Sequence, residues 1–128
     1  MKNMIKKRLP DSEFAIMKII WRLEEPVTSP AIMANLTESD LKQQTVITVL
    51  SRLEKKGFLR SEKPGKEREY YTLISEEEYM RFEASSFLNK FNKQFSLKGL
   101  AAAFYDNGKL DQESIDELQE WLNKREKE

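Results

Sequence analysis

Hydrophobic residues recur at helical spacing along six stretches of the chain, and the first of these carries the broadest apolar surface. From Asp11 to Leu23, the residues Phe14, Ile16, Met17, Ile19, Ile20, Trp21 and Leu23 leave a polar strip only at Ala15, Lys18 and Arg22. That pattern predicts a central helix buried on most of its sides. Glu24-Glu25-Pro26 ends it, and Val27-Thr28 is long enough only for a strand fragment. Ser29-Pro30 then starts a short helix that buries Ile32, Met33 and Leu36, with Ser29 or Thr28 capping and Pro30 in the first turn. Residues 37–41 read as a polar turn. Between Lys42 and Gly57, the residues Val46, Val49, Leu50 and Leu53 fall within one stripe about 100° wide. Lys55-Lys56-Gly57 closes this third helix, with cations at the negative end of its dipole and a glycine free to turn.

The period then shortens. Phe58–Lys63 and Arg68–Leu73 are strand-like runs around Pro64-Gly65, which predicts a β-hairpin carrying Arg60, Lys63, Lys66 and Arg68 on its tip and sides. Helical spacing resumes after Ser75, which forms a capping box with Glu78 three positions on. The helix it opens runs to about Asn92, with Met80, Ala84, Phe87, Leu88 and Phe91 recurring along it. A further helix spans roughly Ser96 to Tyr105 around Leu97, Leu100, Ala101 and Phe104, and Asp106-Asn107-Gly108 breaks it. The last helix starts at Asp111, with Leu110 and Ile115 placed as a hydrophobic staple. Met1–Arg8 is a short basic tail, expected to be mobile.

Three helices followed by a basic hairpin is the winged form of the helix-turn-helix. The fold class is therefore mainly α: a winged helix-turn-helix domain over residues 1–75 and a C-terminal helical dimerisation region over 76–128. A unit of roughly 50 residues buries only about 60% of its surface and is marginal alone. Completing its core with a second copy predicts a twofold homodimer through residues 76–125. Phe87, Leu88, Phe91, Leu100, Phe104, Ile115, Leu118, Trp121 and Leu122 are the candidate interface residues.

Chemistry enters with the outward face of the third helix. Gln44, Thr48, Ser51 and Lys55 line it, flanked by Thr45 and Arg52, with Gln43 just ahead and no acid until Glu54. Amides, hydroxyls and cations without carboxylates suit phosphates and base edges, so this helix is expected in a DNA major groove. Gln44, Thr45 and Thr48 are the candidate base readers: glutamine can pair bidentately with adenine, and a threonine methyl can meet the thymine methyl. Arg52 and Lys55 lie further along the helix and are placed on phosphates. Lys56 either joins them or serves only the helix dipole. Arg60, Lys66 and Arg68 of the hairpin are further DNA contacts, unless neighbouring Glu62, Glu67 and Glu69 pair with them. Trp21 and Tyr70-Tyr71 are read as core rather than as base-stacking platforms, and Glu76–Glu78 as a cap rather than a metal patch.

Composition narrows the alternatives. The 128 residues allow one domain, or two small units sharing a helix. Cysteine and histidine are both absent. That excludes disulfides, thiolate metal sites and the commonest general base. No cofactor or metal is expected, and no enzymatic activity. No apolar run is long enough to span a membrane, so a cytoplasmic protein without membrane insertion is expected. The formal net charge is +0. It is unevenly spread: residues 1–75 carry 14 Lys+Arg against 10 Asp+Glu, and residues 76–128 carry 8 against 12. A basic front half and an acidic back half fit one part touching phosphates and another touching protein.

With these residues in place, the chain resembles the penicillinase repressor family, which includes methicillin-resistance and copper-transport repressors. Leu9-Pro-Asp-Ser-Glu-Phe-Ala-Ile-Met-Lys-Ile-Ile-Trp21 looks like the family's opening helix. Thr45-Val-Ile-Thr-Val-Leu-Ser-Arg-Leu-Glu-Lys-Lys-Gly57 is similar to its recognition helix, and Ser114-Ile-Asp-Glu-Leu-Gln-Glu-Trp-Leu122 to its closing dimer helix. The resemblance implies a dimeric winged-helix transcriptional repressor on palindromic operator DNA. In antibiotic-responsive members it also implies a membrane-sensor pathway and proteolysis at an Asn-Phe bond. The matching pair here is Ala103-Phe104, without the asparagine. The cysteine metal site of copper-responsive members has no counterpart. Lys42 stands where a capping serine is common, and Ile47 where the methicillin-resistance repressor has arginine. Overall neutrality keeps one alternative open: a winged-helix protein-interaction module without sequence-specific DNA binding.

Overall fold

The structure is a computed structural model that describes residues 5–36, 42–90 and 96–127. The start of the basic tail, the polar turn at 37–41, and Phe91 and Asn92 at the expected end of the fourth helix lie outside the described residues. Helix α1 (Asp11–Arg22), strand β1 (Val27–Thr28), helix α2 (Ser29–Ala34), helix α3 (Gln43–Lys55) and strands β2 (Leu59–Glu62) and β3 (Glu69–Thr72) follow in order. Helices α4 (Glu76–Asn89), α5 (Leu97–Asp106) and α6 (Gln112–Glu126) complete the chain. The sheet is antiparallel in the order β1-β3-β2. The fragment at Val27-Thr28 thus becomes an edge strand on β3, and three helices with a hairpin give the winged helix-turn-helix.

Local chemistry sets the element ends. Thr28 is the α2 cap, its Oγ1 accepting from the Ala31 N–H at 3.4 Å, with proline in the first turn. At the end of α3, Gly57 has φ 84°. Phe58 N–H donates to the Leu53 carbonyl and Gly57 N–H to Glu54, the paired bonds of a Schellman stop that a side chain with a Cβ enters only under strain. Gly108 closes α5 in the same way, with Lys109 N–H on the Phe104 carbonyl. The capping box at α4 is reciprocal: Glu78 N–H donates to Ser75 Oγ, and Ser75 N–H to the Glu78 carboxylate. Asp111 caps α6 through the Ser114 N–H at 2.8 Å, and that bond holds the Asp111 carboxyl below its usual range.

The core lies among α1, α2, α3 and the sheet. Ile16, Met17 and Ile20 of α1 meet Ile32 of α2, the whole predicted stripe Val46, Val49, Leu50 and Leu53 of α3, and Phe58, Leu59 and Ile74 around the wing. This compact unit runs to Phe87, beyond the division drawn at residue 75. The physical reason is Tyr79, in the second turn of α4. Its ring is buried against Phe14, Trp21, Phe58 and Phe82, and its hydroxyl accepts the buried Leu9 N–H at 2.7 Å. Burial raises the phenol pKa to about 12, so it stays neutral at physiological pH. Trp21 is partly buried and packs against the core, its indole N–H donating to the Ile74 carbonyl.

One buried group was not foreseen. Glu13 is 3% exposed, on the first turn of α1, and its carboxylate holds the Lys56 ammonium at 2.5 Å. Lys56 therefore ties the end of α3 to α1, rather than serving only the dipole. The second compact unit, residues 88–128, has no buried side chain on α5 or α6. Leu110 and Ile115, the staple pair, are half-buried.

Two stability effects follow. Tyr79→Phe removes the acceptor of a buried N–H and should lower unfolding free energy by about 1–3 kcal/mol in urea titration. Lys56→Ala should cost roughly 3 kcal/mol by stranding the Glu13 carboxylate. Lys55→Ala, one residue earlier and exposed, should change stability by no more than about 0.5 kcal/mol.

Candidate nucleic-acid interface

Helix α3 carries the site because its apolar stripe leaves only one way for it to lie on the core. With Val46, Val49, Leu50 and Leu53 buried, the residues Gln43, Gln44, Thr45, Ile47, Thr48, Ser51, Arg52 and Lys55 are all exposed. None is acidic. The one carboxylate of the helix, Glu54, is half-buried and accepts the Ser61 hydroxyl at 2.8 Å. Ser61 Oγ in turn accepts from the Arg68 guanidinium at 3.0 Å. This Glu54–Ser61–Arg68 chain ties α3 to β2 and to the turn just ahead of β3. It also turns the only negative charge of α3 away from the open face. Burial and then the Glu54 carboxylate raise the pKa of nearby Tyr70, with Arg68 opposing them.

Within the exposed face the side chains differ in what they can offer. The Thr48 hydroxyl donates to the Gln44 carbonyl at 3.0 Å. Its proton is satisfied locally, leaving a methyl and an acceptor for a partner. Ile47, 40% exposed, adds an apolar contact that the amphipathic pattern assigned to neither side. At the start of the helix Lys42 makes no side-chain cap, so its first-turn amides keep the donor character that favours an anion.

On the wing, the structure separates the expected DNA contacts into two groups. Arg60 pairs with Glu62 at 3.0 Å and stacks over Tyr71, 4.1 Å from the ring centroid. Arg68 is held by Ser61. Both are engaged within the protein, Arg60 by a neighbouring acid and Arg68 by a hydroxyl instead. Lys63 and Lys66 lie on the exposed tip, with no ion pair among the described residues. Glu25, at the turn after α1, fixes the other end of β3 by accepting from the Thr72 N–H and hydroxyl.

The second unit shows where the candidate interface residues lie. Phe87, Leu88, Phe104, Leu118, Trp121 and Leu122 are 43–52% exposed. Leu100 and Ile115 are half-buried, and Phe91 lies outside the described residues. Ala103 and Phe104 sit in the last turn of α5, where the Ala103 carbonyl accepts from the Asn107 backbone and side chain. Cleavage of a helical peptide bond needs that turn to open first. Among the described residues no group of carboxylates is arranged to hold a metal, and no helix is long and apolar enough to cross a membrane.

Residues 9–124 match the family model described as penicillinase repressor. The chain is 34% identical over 119 residues to the "Penicillinase repressor" of Bacillus licheniformis, covering 91% of this chain and 92% of that one. It is 30% identical over 117 residues to the "Methicillin resistance regulatory protein MecI" of Staphylococcus aureus (strain N315), covering 91% and 94%. The solution structure of the DNA binding domain of the repressor BlaI is 32% identical, covering 56% of this chain and 88% of that one, with a TM-score of 0.49. The family match runs through the winged unit and on through both C-terminal helices, and the chain belongs to the penicillinase repressor family.

Proposed function

We propose that this protein is a dimeric winged-helix transcriptional repressor that binds palindromic operator DNA in the cytoplasm. It acts by occupying its site and not by catalysis. The observation that carries the reading is the exposed face of α3, eight residues without a carboxylate on a helix whose opposite stripe is wholly buried. Such a face, offered to duplex, meets no like-charge repulsion from the phosphates. Gln44, Thr45 and Thr48 stand in the N-terminal half, where a recognition helix reaches base edges. Arg52 and Lys55, with Lys63 and Lys66 of the wing, supply phosphate contacts. Arg60 and Arg68 shape the wing first and reach DNA second, since both already have protein partners. Family membership supports this reading over a protein-interaction module, whose best support was overall neutrality.

Dimerisation supplies the palindrome. The unit formed by residues 88–128 leaves Leu118, Trp121 and Leu122 of α6 about half exposed, which a second copy would cover. Two copies related by a twofold axis would read half-sites one turn, roughly 34 Å, or a multiple apart.

Three measurements test the proposal. Gel retardation of the protein's own upstream DNA should show a log–log salt dependence at least as steep as about −5, since helix and wing offer three or four phosphate contacts per half-site. A slope near zero excludes the reading. Gln44→Ala and Thr48→Ala should each weaken operator binding by about 1–3 kcal/mol and leave non-specific binding nearly intact. Trp121→Ala with Leu122→Ala should shift the sedimentation profile from dimer to monomer while the winged unit stays folded. A profile that stays dimeric removes α6 from the interface.

A further inference from the structure

The groove beside the end of α3 shares only Lys55 with the helix and wing contacts proposed above. It has a volume of about 420 Å³ and is lined by Lys6, Lys7, Arg8, Lys55 and Lys56, with Phe58 among its walls. Two of its five cations are neutralised from outside: Lys56 by the buried Glu13, and Arg8 by Glu83 at 3.1 Å. Lys6, Lys7 and Lys55 have no ion pair among the described residues. The short basic segment is also pinned. Ile5 packs against the core on one side of the lysines. On the other, Leu9 is 4% exposed and its N–H is bonded to the Tyr79 hydroxyl. Residues 5–9 are thus laid on the winged unit, and the expectation of a free basic tail does not hold for them.

From this placement we propose that Lys6 and Lys7, together with Lys55, form a second phosphate-binding site that grips the operator backbone beyond the C-terminal end of α3. The inference rests on the DNA-binding reading above and extends it to a segment outside the helix-turn-helix. The occupant follows from the length of α3. Gln44 and Lys55 are eleven positions apart on one helix, about 16 Å at 1.5 Å per residue. A major groove is only about 12 Å wide. A helix whose N-terminal half reaches base edges therefore brings its far end out at the sugar–phosphate strand bounding the groove. Three uncompensated ammonium groups wait there. As flexible point charges without a planar fork, lysines neutralise phosphate without reading sequence.

The test is the double variant Lys6→Gln/Lys7→Gln in the full-length chain, with Lys98→Gln on α5 as control. Affinity for operator and for an unrelated duplex is measured across a salt series. Each lost phosphate contact removes about 0.9 from the log–log slope. The double variant should therefore be shallower by about 2 per bound protomer, with the same fold loss on both duplexes and an unchanged specificity ratio. The control slope should not move. A steep wild-type slope that the double variant leaves unchanged overturns the site while leaving the repressor reading intact. A wild-type slope near zero removes that reading and the site with it. Inorganic tripolyphosphate that binds the wild type but not the double variant, without displacing DNA, assigns the groove to a small anion and also overturns the proposal.

Discussion

The burial of four aliphatic side chains on one side of α3 is the constraint from which the rest of the interface follows. Val46, Val49, Leu50 and Leu53 are each no more than 2% exposed. Removing a side chain of that size from water is worth about 1.5–3 kcal/mol. Rotating the helix by even a quarter turn would forfeit much of this and bury amides and a cation instead. Orientation is therefore set by the core, and the polar face is presented without any contact made for its own sake. A recognition surface needs this division, because its side chains must be free to meet a partner while their backbone cannot move.

The polar contacts around that helix refine what the apolar stripe begins. Lys56 on buried Glu13 pins its end to α1, and Glu54 through Ser61 to Arg68 links it to the wing. Glu13 and Glu54, the two acids these contacts use, are held inside the protein. The result is a helix tied to the wing whose open face carries Arg52 and Lys55 and no carboxylate, in a chain of zero formal net charge. Neutrality of the whole molecule is thus a poor guide to what one of its faces can bind.

Much of this was legible in the sequence, for identifiable reasons. The stripe of α3, the glycine stop at Gly57, the capping box at Ser75 and the Pro-Gly hairpin each arise within a few residues, and each appeared where expected. What escaped depended on partners distant in sequence. Glu13 and Lys56 are 43 positions apart, and Leu9 and Tyr79 are 70. No local pattern marks Glu13 as buried, since an acid in the first turn of a helix is ordinarily placed there by the dipole. Tyr79 likewise looked like part of a later helix, and its aromatic cluster moved the edge of the first compact unit from residue 75 to Phe87. The wing arginines stayed open for another reason, since acids stand beside them in the sequence: the structure pairs Arg60 with Glu62 on its own strand and Arg68 with the Ser61 hydroxyl across the hairpin.

The absence of cysteine gives a direct route to the central question, which is whether the outer face of α3 meets the major groove. A single Ser51→Cys substitution creates a unique attachment point in the middle of that face, where a short photocrosslinker can be coupled. On operator duplex, adducts should form at bases on their major-groove edges, in two clusters related by the dyad. Adducts confined to the minor groove, or none on operator under conditions where the labelled protein still binds it, would contradict the placement of this helix.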